Sequence, residues 1–88
     1  MRRLAATDVA LRVLMRLGVE PQRRRSAEEL ERSVGVPRNH VHKIIQDLAE
    51  AGLVRTWRGA GGGVELAMAA EAIRLGDVVR RFETGQVL

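Results

Sequence analysis

PRNHVHKIIQDLAEAG, residues 37–52, decides the fold. Val41, Ile44, Ile45 and Leu48 fall at i, i+3, i+4 and i+7, one apolar stripe on a helix. Asn39, His42, Lys43 and Gln46 fall on the other side, where short polar and basic groups can meet base edges and phosphates. Pro37 suits a first helical turn, and Gly52 stands where a helix stops. The spacing predicts a helix over 37–51. Taken alone it is a solvated amphipathic helix; its neighbours on both sides change that reading.

Upstream, Ser26-Ala27-Glu28-Glu29 is a capping box, in which Ser26 and Glu29 each satisfy the other's backbone N–H. It opens a short helix over 27–34, with Ala27, Leu30 and Val34 inward. Gly35 closes that helix in a left-handed turn. A short helix, a tight glycine turn and a longer helix with a polar outer face make a helix-turn-helix, whose second helix enters the major groove.

Downstream, LVRTW at 53–57 and VEL at 64–66 are β-prone, and four of the six residues in RGAGGG, 58–63, are glycine. Such a segment turns one strand back on the next. The wing is predicted over 53–67, with Gly59, Gly61, Gly62 and Gly63 in its turn and Arg58 at its base, able to reach into a minor groove. A phosphate-cradling loop is excluded, because no GK[ST] follows and no helix starts there. The fold class expected is mainly α with a small β-hairpin: a winged helix-turn-helix filling residues 1–88 as one domain.

Two more helices complete it. One, over 6–17, is opened by Thr7 or a neighbour and ended by Gly18; Ala6, Ala10, Leu14 and Leu17 form its stripe, and Val9, Leu11, Val13 and Met15 extend the apolar surface. The other, over 74–83, turns Val78, Val79 and Phe82 to one side. The loop at 19–25 carries Arg23, Arg24 and Arg25 in succession and reads as exposed, with Arg24 and Arg25 as phosphate contacts.

With 88 residues the chain can build one modest core. Its net charge of +4 and pI of about 11.2 suit a nucleic-acid partner, although arginine-rich, alanine-rich usage can also follow genome composition. The chain has no cysteine, so it offers no disulfide, thiolate metal site or cysteine nucleophile. No apolar run suits a membrane span, and Asp8 and Arg12 interrupt the start of the chain, so it does not read as a signal peptide; a cytoplasmic protein is expected. Trp57 and Phe82 are the sole aromatics, too few to stack single-stranded nucleic acid. His40 and His42 lie on different helix faces and make no metal pair, and no catalytic constellation is spaced for use. The chain is not expected to be an enzyme.

TDVALRVL at 7–14, GVPRNHVHKIIQDLAEAGLV at 35–54, RGAGGG at 58–63 and LGDVVRRFE at 75–83 together resemble the IscR/NsrR-type winged-helix regulators of bacteria. The RNH-x-x-KII and GDVVR runs lean towards the nitric-oxide-sensing NsrR branch. The resemblance implies a transcriptional regulator, a repressor, that binds double-stranded DNA as a homodimer. Arg38, Asn39, His42 and Lys43 would face DNA, with Arg58 in the wing; Gln46 joins them on helix geometry alone. Full-length relatives are implied to hold an iron–sulfur cluster, but its cysteines have no counterpart here. Asp8 is a conceivable oxygen ligand to a partner's cluster in a longer form. Three positions depart from the family's pattern. Val9 replaces a tyrosine, Glu31 a small residue between the two motif helices, and Ala60 a larger wing residue.

The rival to DNA binding is a winged helix that binds protein through the same charged face. For the 88-residue chain alone the expectation is a monomer that binds DNA weakly, with Val9, Val13 and Phe82 left as a poorly covered apolar patch.

Overall fold

The computed structural model describes residues 6–59 and 61–83. Its elements run α1 (Ala6–Val19), α2 (Ala27–Val34), α3 (Arg38–Glu50), β1 (Val54–Trp57), β2 (Gly63–Leu66), a 3-10 turn (Ala70–Ala72) and α4 (Leu75–Phe82). This is the expected winged helix-turn-helix. Ala60 at the wing tip and the tail at 84–88 lie outside the described residues.

Two caps set the geometry of the motif. Ser26 Oγ accepts from the Glu29 N–H at 3.0 Å, and Glu29 Oε1 accepts from the Ser26 N–H at 3.1 Å. Both halves of the capping box are therefore made, and Gly35, at φ 77°, closes α2. The Glu29 carboxyl is held below its ordinary range, chiefly by the Ser26 N–H and then by Arg23, against some desolvation. At the far end of α3, the Leu53 N–H donates to Leu48 O and the Gly52 N–H to Ala49 O, both at 3.0 Å. These are the paired bonds of a Schellman ending. They turn the chain straight from the recognition helix into β1.

The core gathers beneath this motif. Val41, Ile44, Ile45 and Leu48 of α3 are all buried, as the periodicity requires. They join Leu30 and Val34 of α2, Val54, Val64 and Leu66 of the hairpin, and Val78 and Phe82 of α4. The first helix, α1, packs against α2, α3, β2 and α4 and is the central element.

Several expectations need correction here. α1 runs through Gly18 to Val19, because burial of Leu17 and the helix's other apolar side chains outweighs the local cost of one glycine. Thr7 does not open it: Thr7 lies within the helix and is buried, its hydroxyl without a partner among the described residues. α3 begins at Arg38, with Pro37 as the residue just outside. Val9 and Val13 are 0% exposed and Phe82 1%, so the expected bare patch is closed by α1 and α4 packing together. Among the described residues the exposed large apolar side chains lie instead at Met15, Val19, Met68 and Leu75. Glu31 does not enter the core; it swings out to meet Arg38.

The strands pair antiparallel, with Val54 opposite Leu66, Arg55 opposite Glu65, Thr56 opposite Val64 and Trp57 opposite Gly63. Two turn positions demand glycine. A Cβ on Gly62 would stand 2.5 Å from Trp57 O, and one on Gly63, where φ is 143°, would stand 2.9 Å from Arg25 O. The second contact marks a feature with no sequence signal. Arg25 bridges to Val64 through two backbone hydrogen bonds of 2.9 Å, so the loop before α2 lies along the open edge of β2.

Candidate nucleic-acid interface

The stripe that buries Val41, Ile44, Ile45 and Leu48 fixes the rotation of α3. Asn39, His42, Lys43 and Gln46 are consequently exposed. Between α3 and the wing runs an open groove of about 530 Å³. His42 and Gln46 line it from α3, Thr56, Trp57, Arg58, Gly59, Gly62 and Gly63 from the wing, and Ser26 also borders it. Arg58 is exposed and makes no hydrogen bond or ion pair among the described residues. The helix face and the wing base are thus presented on one side of the domain.

The remaining basic candidates are held by protein groups. Arg38, in the first turn of α3, places Nε 3.1 Å from Glu31 Oε1 and a terminal nitrogen 4.0 Å from Glu28. Arg24 lies over the Trp57 ring, 3.7 Å from its centroid. Its Nε is 3.4 Å from Glu65 Oε1, and its Nη1 donates to Gly61 O at 3.2 Å. Arg25 corrects the reading of 19–25 as a wholly exposed loop. It is 8% exposed and paired with Glu20 at 3.3 Å, with its Nε unpartnered among the described residues. The backbone bridge to Val64 draws its side chain inward. In this geometry it is a buried, paired arginine, not an exposed one.

The sequence reading missed the acidic side of this surface. Glu28, Glu31 and Glu65 neutralise arginines that composition alone counts as free. Glu31 carried a signal, since the resemblance marks that place as one for a small residue; Glu65 carried none beyond alternation in the strand.

No helix among the described residues is long and apolar enough to cross a membrane. Nor do they hold a group of three His, Cys, Asp or Glu side chains that could take a metal ion. Asp8 is exposed in the first turn of α1.

Residues 4–88 match the Rrf2 family, described as an iron-dependent transcriptional regulator. The fold is similar to that of IscR from T. potens, with a TM-score of 0.82 and 25% identity over 94% of this chain and 61% of that one. It is similar also to CymR, the global cysteine regulator of B. subtilis, with a TM-score of 0.83 and 24% identity over 94% of this chain and 65% of that one. The oxidized form of Staphylococcus aureus CymR gives 0.81 and 26%, over 94% of this chain and 68% of that one. The chain therefore spans about three fifths to two thirds of the length of these relatives. The iron named in the family's description finds no cysteine in this sequence and no ligand group among the described residues; they do not fit an iron–sulfur cluster. With the match extending over residues 4–88 and the winged fold in agreement, the chain belongs to the Rrf2 family, whose members are transcriptional regulators rather than enzymes.

Proposed function

We propose that this chain is the DNA-reading domain of a bacterial transcriptional regulator, working in the cytoplasm as a repressor that occupies its operator. α3 enters the major groove, where Asn39, His42, Lys43 and Gln46 meet base edges and phosphates. Arg58 enters the flanking minor groove. Arg38 reaches the backbone once it leaves Glu31. In this reading full-length relatives bind as homodimers at half-sites about 34 Å apart. The RNH-x-x-KII and GDVVR runs support a relation to the nitric-oxide-sensing NsrR branch. Asp8 serves as a cluster ligand in this reading only if cysteines are supplied from outside this sequence.

One observation carries the proposal. His42 and Gln46 of α3 and Arg58, which has no partner among the described residues, line the same open groove, so one duplex can meet both. Binding of the purified chain to a labelled duplex across a salt series tests it. Affinity should fall steeply as salt rises, because each neutralised phosphate releases a counterion. Absence of binding at low salt would overturn the reading and leave a protein-binding winged helix in its place.

A further inference from the structure

The three successive arginines of the α1–α2 loop go to three different places. Arg23 turns back to Glu29 at 2.7 Å. Arg25 joins the edge of β2 through its backbone. Arg24 sends its side chain across the wing, and there it touches three separate parts: the Trp57 ring at the end of β1, the Glu65 carboxylate on β2, and the Gly61 carbonyl in the turn. Glu65 is also 3.4 Å from Arg55, whose guanidinium lies 5.7 Å from the other contact of the set, the Trp57 ring centroid. The Glu65 side chain is only 16% exposed, enclosed by the two arginines.

A hairpin of two four-residue strands has little stability of its own, and a glycine-rich turn adds conformational freedom. Something outside the hairpin must hold its angle to α3. The Arg25–Val64 bridge ties one edge, and the Arg24 side chain ties the outer face. Trp57 immediately precedes Arg58. Whatever fixes the indole therefore fixes the place from which the Arg58 side chain departs.

We propose that Arg24 is a positioning residue for the wing: stacked on Trp57 and bonded to Glu65 and Gly61, it aims Arg58 at DNA and makes no phosphate contact of its own. This rests on the reading of Arg58 as the wing contact. It assigns the loop arginine to geometry, where its charge alone would assign it to the backbone of DNA.

The test is a double-mutant cycle with Arg24→Ala, Arg58→Ala and the pair, measured as affinity for a labelled duplex over a salt series. Arg24→Ala should weaken binding about tenfold while leaving the salt slope unchanged. In the Arg58→Ala background it should cost nothing further, because a residue that acts through another is silent once the other is gone. Glu65→Gln, which keeps the shape of the wing, should repeat the pattern from the opposite side of the stack. Additive losses, with the salt slope reduced by about one on removing Arg24, would show a direct phosphate contact and overturn the proposal. A second measurement needs no DNA. Trp57 is the sole tryptophan, so its fluorescence should shift and depolarise in Arg24→Ala; an unchanged spectrum would refute the clamp. Should Arg58→Ala bind as the parent does, the minor-groove reading falls, and the fluorescence result alone still decides whether Arg24 holds the wing.

Discussion

Arg38 and Arg58 have the same charge and opposite situations. Arg58 has no partner among the described residues, so its removal leaves nothing unsatisfied. Arg58→Ala should weaken DNA binding by about 1–3 kcal/mol with the melting temperature nearly unchanged; a large thermal loss would show that it holds the hairpin instead. Arg38 is shared between Glu31 and Glu28, and must exchange a carboxylate for a phosphate. Exposed pairs of this kind are worth about 0.2–1 kcal/mol, so Glu31→Ala should tighten DNA binding by about two- to fivefold at low salt. The gain should shrink as salt screens both interactions. Weaker binding in Glu31→Ala would mean that the glutamate itself contacts a base.

At the scale of elements, the two helices of the motif are held by different means. In α3 the stripe does it. Ile44 is fully buried, and Ile44→Ala should cost about 2–5 kcal/mol, while Asn39→Ala and Lys43→Ala should be nearly neutral in thermal melts. Reversed tolerances would put the wrong face of α3 toward DNA. α2 has only two buried residues and depends more on its cap. Because the Glu29 carboxyl is depressed, its contribution is present above the ordinary carboxylate range and is lost as pH falls through the lowered value. Glu29→Gln should therefore flatten the acid limb of the stability curve. An acid limb identical to the parent's would show that the box contributes through geometry and not through charge.

For the molecule as a whole, the burial of Val9, Val13 and Phe82 means that α1 and α4 turn these apolar side chains inward, against each other and the motif. Among the described residues the large apolar side chains left outside are Met15, Val19, Met68 and Leu75, with Met15 and Leu75 lining a groove of about 170 Å³. The 88-residue chain should sediment as a monomer at micromolar concentration and bind a palindrome and a single half-site alike. It then forgoes the gain of about 10²–10⁴ that linking two modules supplies. A stable dimer without DNA, binding a palindrome at nanomolar strength, would contradict this.

Much of this protein was legible in the order of its residues. The stripe in α3, the Ser26–Glu29 box, Gly35 and the glycine turn are local signals, each acting within a few residues, and together they specify a winged helix-turn-helix. The polar face of α3 followed from the same periodicity, because burying one side of a helix exposes the other. What only the tertiary structure decided were matters between residues far apart in the chain. Gly18 stays helical because the core beneath α1 outweighs local propensity. Arg25 is drawn inward by Val64, thirty-nine positions on by residue number, and Arg24 finds Trp57 and Glu65 across the same gap. A run of three arginines reads as a solvated charge patch until the fold brings an indole and a carboxylate within reach. Charge is a property of composition, whereas whether a charge is free to meet DNA depends on its neighbours in space.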